Sequence, residues 1–216
     1  TTGTQNVAVG ANALDANTTA NNNVACGMNS LTANTTGANN TGFGHRTLAD
    51  NTTGTQNVAV GANALDAATT ASNNTSVGYQ SMAANTTGTF NSALGNYALG
   101  ANTTGGYNAA CGSNAADANT TGENITAMGA HALGANTTGN HNTACGSSAL
   151  GANTTADNNT AVGRHSLLAN TTGSSNTALG ANALDANTTA DFNTAVGKDA
   201  LGANTTGTYN VAVGSF

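Results

Sequence analysis

The chain has 216 residues, of which 6% are charged, with a formal net charge of −6 and only three cationic side chains, Arg46, Arg164 and Lys198. Nucleic acid is therefore excluded as a partner, because no basic stripe neutralises phosphates, and a polybasic membrane-surface patch is excluded on the same ground. No apolar run approaches the 18 residues of a spanning helix, and no charged-then-apolar leader follows Thr1.

The organising signal is a repeat. Thr-Thr pairs begin at Thr1, Thr18, Thr35, Thr52, Thr69, Thr86, Thr103, Thr120, Thr137, Thr154, Thr171, Thr188 and Thr205. Each step is 17 residues, without insertion or deletion, which is the mark of a solenoid rather than of a disordered polar tract. Twelve full units and a partial thirteenth form one array over 1–216. The array starts on the first residue of a unit and stops inside one at Phe216, so it reads as a piece of a longer fibre.

Positions within the unit are numbered from the first Thr, and the unit reads T-T-[G/A]-x-x-N-[T/V]-A-φ-G-x-x-A-L-x-A-N, with φ apolar. Both Thr positions and Gly at position 10 hold in all thirteen copies; Asn at position 6 fails only at Ile125, and Asn at position 17 only at Ala68. The unit is too short for two helices and lacks three- and four-residue apolar spacing, so short strands are expected. In chain order, a Gly3-Thr4-Gln5 turn leads into the strand "NVAVG". A Gly10-Ala11-Asn12 turn then leads into a second strand, "ALDANTT". The expected fold class is all-β: a parallel β-solenoid of 12–13 coils, read as a β-roll with a three-sided β-helix the alternative, roughly 60 Å long at about 4.8 Å per coil.

Alternation along each strand then assigns faces. Position 9 is apolar throughout, from Val9 and Cys26 to Val213, and position 14 is Leu in ten of twelve copies, with Met82 and Ala116 the others. These two are expected to meet inside, with positions 7 and 16 sharing their parity and positions 8, 13 and 15 pointing out. Asn at positions 6 and 17 is expected to form coil-to-coil amide ladders. Position 8 is then an outward file of alanine: Ala8, Ala25, Ala59, Ala93, Ala110, Ala127, Ala144, Ala161, Ala178, Ala195 and Ala212, with Gly42 and Ser76 the exceptions. Residues so small on an exposed strand imply close packing of a neighbouring chain, and Glu at Ala59 or Ala161 is expected to separate the chains.

"NVAVG", "NTAVG", "NTALG" and "NSALG", each followed by a small residue and, in most copies, Ala-Leu, resemble the head repeats of trimeric autotransporter adhesins. The Asn-Thr-Thr-Gly turn is similar to repeats of phage tail fibres and large bacterial surface proteins. The resemblance spans the whole chain, although the adhesin heads use a shorter unit. It implies a left-handed roll packed as a homotrimer, a shaft or head of an extracellular adhesin or virion tail fibre, on a cell surface or virion, with a host surface or glycan as receptor.

Chemistry is sparse. His45, His131, His141 and His165 sit on turns in different coils. Cys26, Cys111 and Cys145 share position 9 and are expected to be buried apolar fillers, without metal spacing. Asp15, Asp66, Asp117 and Asp185 share position 15 but lack the calcium-binding nonapeptide, and solvated surface charge is the expected reading. Phe90, Tyr107, Phe192 and Tyr209 share position 5 on a turn. Asn-Thr-Thr matches a glycosylation acceptor, but a structural amide is the better reading. No catalytic, metal or cofactor residue emerges, and no enzyme is expected. The rival function is ice binding. It rests on a regular outward row formed by the second Thr of each pair: Thr2, Thr19, Thr36, Thr53, Thr70, Thr87, Thr104, Thr121, Thr138, Thr155, Thr172, Thr189 and Thr206.

Overall fold

The computed structural model describes residues 2–215; Thr1 and Phe216, on which the first Thr pair and the chain's last position fall, lie outside them. The chain forms two compact units, Thr1–Tyr107 and Asn108–Phe216. Each is a parallel β-solenoid with one three-residue strand per 17-residue coil, and no helix occurs among the described residues.

The first unit carries β1 (Val7–Val9), β2 (Val24–Cys26), β3 (Thr41–Phe43), β4 (Val58–Val60), β5 (Thr75–Val77) and β6 (Ser92–Leu94). The second carries β7 (Ala109–Cys111), β8 (Thr126–Met128), β9 (Thr143–Cys145), β10 (Thr160–Val162), β11 (Thr177–Leu179), β12 (Thr194–Val196) and β13 (Val211–Val213). Within each unit every strand pairs in parallel with its sequence neighbour, and the register joins like to like, as in Ala144↔Ala161 and Cys145↔Val162.

The expected second strand, "ALDANTT", is a turn. Its Leu lies in the left-handed region, at φ 50° in Leu167, as do positions 5 and 12 wherever they are described, such as Asn158 and His165 at 60°. That conformation costs a non-glycine residue about 1–2 kcal/mol. The backbone bonds show what offsets the cost. In the coil 154–170, the amides of Thr154, Thr160, Leu167 and Ala169 donate to the following coil, and those of Asn158, Gly163 and His165 donate to the preceding one. Only Ser166 and Asn170 bond within the coil, to Gly163 and Leu167. The left-handed residues thus let the turn segments stay in coil-to-coil bonding although they are not strand, so the backbone polar groups of a narrow roll are satisfied.

The interior also differs from the alternation expected above. Position 14 is inside: Leu31, Leu48, Leu65, Leu99, Leu133, Leu150, Leu167 and Leu184 are fully buried. The strand facing it presents position 8. Ala25, Ala59, Ala127, Ala144, Ala161, Ala178 and Ala195 have no exposed surface, and Ala93 and Ala110 only 2–3%. Ala8 and Ala212, in β1 and β13, are exposed and half-buried. The alanine file is therefore not a surface for a neighbouring chain; it is packed inside its own roll, with position 13. Positions 7 and 9 point outward instead, and position 16 is half-buried or exposed.

Volume explains the reversal. A 17-residue coil has a thin cross-section, and one Leu per coil fills most of it, so the residue opposite must be small. Coil 3 shows the tightness of the match. Position 8 there is Gly42, and a Cβ on it would lie 2.5 Å from Ser30 Oγ and 2.7 Å from Thr47 Oγ1. Those two hydroxyls, at position 13 of neighbouring coils, sit 2.8 Å apart in a buried hydrogen bond. A methyl removed on one wall makes room for hydroxyls on the other.

Position 10 is fixed by contact as well as by conformation. Gly163 has φ +128°, and an added Cβ would meet Gly180 C and O at 2.6 Å. The backbones of successive coils touch there, which accounts for glycine in every copy.

Two asparagine ladders hold the walls. At position 17, Asn153 Nδ2 donates to Asn136 Oδ1 (2.8 Å) and to Ala156 O (3.1 Å), and Asn170 repeats the arrangement one coil on. At position 6, the backbone N–H of Asn176 donates to Asn159 Oδ1 (2.9 Å), and its Nδ2 reaches Ala190 O (2.8 Å). Burial and these bonds also take the position-17 amides out of reach as glycosylation acceptors.

Candidate functional site

The reversed alternation leaves an unusual outer face on each sheet. Position 7 supplies Val7, Val24, Thr41, Val58, Thr75 and Ser92 in the first unit. In the second it supplies Ala109, then Thr126, Thr143, Thr160, Thr177 and Thr194, then Val211. Position 9 supplies the apolar rank beside it. Val9 is 57% exposed, Phe43 56%, Leu94 54% and Leu179 47%. Neither rank holds a single charged or amide side chain. All twelve charged side chains lie on the turns, at positions 4, 11, 12, 15 and 16.

This is not how a solvent-facing sheet is usually written. The Thr of position 7 suits such a face, but Lys and Glu are missing from it, and whereas scattered apolar residues need no explanation, the contiguous apolar rank at position 9 does. The thiols fall on the same rank. Cys111 and Cys145 are exposed and Cys26 is half-buried, so the expectation of buried cysteines is corrected: they occupy position 9, which faces out.

The Thr pair divides its work. The first Thr is bound into the frame, its hydroxyl donating to the carbonyl of the next first Thr, as in Thr137 Oγ1 to Thr154 O (3.0 Å) and Thr154 Oγ1 to Thr171 O (3.2 Å). The second Thr is exposed in every coil from Thr2 to Thr206.

The remaining candidates are dispersed. His45, His131 and His141 are exposed and His165 half-buried. Among the described residues no group of three or more His, Cys, Asp and Glu is placed to hold a metal ion. Of the position-15 aspartates, Asp66 pairs with Arg46 at 3.1 Å and Asp117 accepts from Asn114 Nδ2 at 3.0 Å. Asp199 lies 2.8 Å from the Lys198 ammonium and 2.8 Å from Asn182 Nδ2, and the Lys198 bond first, then the Asn182 bond, hold its carboxyl below the usual range. The position-5 aromatics stack in pairs, Phe90 on Tyr107 at 5.0 Å and Phe192 on Tyr209 at 4.9 Å, both close to parallel. In the second unit, Gly134 and Gly151 leave an open groove of about 560 Å³ bordered by Asp117, His131, Ser148 and Leu168.

One set of structural residues carries no obvious sequence signal. Along position 4 of the second unit, side-chain oxygens accept backbone N–H groups of the preceding coil. Asn140 serves Glu123, Asp157 serves Asn140 (2.6 Å), Ser174 serves Asp157 and Asp191 serves Ser174 (2.6 Å). Position 4 varies in identity, and only the shared presence of a short acceptor marks it.

Compared with models of known protein families, with curated proteins and with solved structures, the chain matches none.

Proposed function

We propose that the chain is a structural fibre segment that assembles with copies of itself through the outer face formed by positions 7 and 9. The observation that carries this is the absence of any charge or amide from two exposed ranks, beside turns that hold every charge in the chain. Burying such a face removes apolar area from water without desolvating an ion. Its period selects the partner. A face that repeats once per coil is matched level by level only by a surface with the same repeat, and a second copy has that repeat by construction. None of the chain's net charge of −6 lies on the face itself, so the contact desolvates no ion.

The strand is three residues long, so each chain offers a strip two side chains wide. Strips this narrow suit a bundle closed around a common axis, and we assign a homotrimer of left-handed rolls, in keeping with the resemblance to adhesin heads. The corresponding role is the shaft or head of an extracellular adhesin or virion tail fibre, presented on a cell surface or virion, without catalytic activity. A host surface or glycan is the receptor class this role implies.

Light scattering on the chain in reductant tests the assembly: a mass of three times 20.8 kDa is expected. Leu179→Asp, on the exposed rank, should return it to 20.8 kDa with the circular dichroism unchanged. A wild-type monomer refutes the proposal.

A second reading is supported by the exposed Thr of every coil. Within each unit, a row of hydroxyls at a fixed spacing of about 4.8 Å is the kind of surface an ice lattice matches. Replacing Thr138, Thr155 and Thr172 by Tyr should abolish freezing hysteresis if ice is the ligand, and hysteresis absent from the wild-type chain rejects this reading.

A further inference from the structure

Cys26, Cys111 and Cys145 all stand at position 9, on the outer face, and the second unit exposes two of them. Cys111 ends β7 and Cys145 ends β9, with Met128 of β8 between them. Two coils separate their backbones by about 10 Å, whereas a disulfide needs Cα atoms within about 7 Å. They have no partner within the chain, and they lie where the assembly proposed above brings chains together.

We propose that Cys111 and Cys145 covalently join neighbouring copies through disulfides formed at matching levels of the assembled face. The inference rests on that self-assembly reading. In a parallel, in-register bundle each coil meets the same coil of its neighbours, so Cys111 faces Cys111 of another copy and Cys145 faces Cys145. The oxidant is a low-molecular-weight disulfide. One Cys thiolate attacks it, forming a mixed disulfide and expelling one small thiolate. A neighbouring chain's thiolate then attacks the protein sulfur of that mixed disulfide and expels the second. The protein pair gives up two electrons and two protons, and the small disulfide becomes two thiols.

Counting sulfurs gives a sharper expectation. One level of a trimer holds three thiols, and a disulfide uses two, so a single level links two chains and leaves one thiol free. Two levels are needed to link all three. The two-level arrangement of Cys111 and Cys145 is therefore the smallest that makes the trimer one covalent body.

The test uses the full chain carrying Cys26→Ser, incubated with oxidised glutathione and run on denaturing gels without reductant. Three-chain species are expected, collapsing to 20.8 kDa on reduction. Adding Cys145→Ser or Cys111→Ser should limit the product to two chains, with the circular dichroism unchanged because both positions lie outside the roll's own core. A reduced mass of three times 20.8 kDa with no covalent product overturns the disulfides and leaves the assembly standing. A reduced monomer overturns the assembly itself. Linkage that needs both cysteines, and is absent from each single-cysteine chain, means Cys111 bonds Cys145 of a copy that is antiparallel or displaced by two coils, and overturns the in-register arrangement.

Discussion

Ala68 is the one place where the position-17 ladder lacks its asparagine, and the interior registers the gap. Among the described residues, Asn51 Oδ1 is the buried side-chain oxygen left without a hydrogen-bond partner. Asn85, one coil beyond, donates to Gly88 O at 3.0 Å, whereas ladder members such as Asn102 and Asn153 donate both to a glycine or alanine carbonyl and to the amide of the coil before. Ala68→Asn should complete the column. Its Nδ2 would reach Asn51 Oδ1 and Ala71 O, and its Oδ1 would accept from Asn85. Each net bond contributes about 0.5–1.5 kcal/mol, and relieving a buried unpaired acceptor recovers about 1–3 kcal/mol, terms that overlap for the Asn51 bond. Fixing the new side chain costs about 1 kcal/mol. The expected gain is roughly 1–3 kcal/mol. A repeat array does not unfold in one step, so a single melting temperature averages the effect away. Native-state amide exchange reads it locally. The amides of Thr52, Thr69 and Thr86, which bond coil to coil beside the gap, should slow by about 5- to 100-fold. Ala67→Asn, one residue earlier and half-buried on the outside, should leave them unchanged. Unaltered or faster exchange in Ala68→Asn refutes the claim that the amide column stabilises the roll.

Leu150→Ala should cost about 2–5 kcal/mol, read as faster exchange in the coils around residue 150, because Leu150 is fully buried and its neighbours in the column cannot collapse onto the gap. Gly163→Ala should destabilise the same unit severely, since its Cβ would overlap the backbone of Gly180 at 2.6 Å from an unfavourable φ; wild-type circular dichroism and exchange would show that the coils can separate there. Ala161→Glu should unfold its coils rather than separate intact chains, because Ala161 is completely buried and the carboxylate would enter the roll; a folded monomer would restore the outward assignment. Asp199 contributes stability above its unfolded pKa that is lost as pH falls through its lowered folded value. Because the Asp199 side chain is 33% exposed and that of Lys198 67%, solvent screens the pair, so the loss should be slight and Asp199→Asn should change the acid-unfolding midpoint little.

Much of this fold was legible in the letters. The 17-residue period, the inward Leu and both asparagine ladders follow from comparing copies within one chain. The sign of the strand was not. Alternation with period two says that positions 8 and 9 face opposite ways, but not which one faces in. The usual rule turns the larger apolar residue inward, and that rule supposes an interior wide enough for it. The file of alanines, strange on an outer face, was the clue: residues that small and that constant belong where Leu31 or Leu150 already fills the space. The missing second strand has a different cause. Leucine rarely adopts a left-handed backbone, so nothing in "ALDANTT" announces the turn at Leu14 or Leu167. The outer apolar face depends on the inverted strand, which the letters alone do not reveal.

The regular register makes the coil a unit of length. Every amide ladder links a residue to its counterpart seventeen places away, and the backbone bonds between coils follow the same step. Excising Thr120–Asn136 would set like against like once more, and the chain would lose about one strand spacing, near 4.8 Å. Excising sixteen or eighteen residues would slide glycine onto valine and asparagine onto threonine in the coils that close the cut. Such a gene can lengthen or shorten its product by whole turns of the roll, through duplication or loss of a 51-nucleotide word, and at almost no other increment.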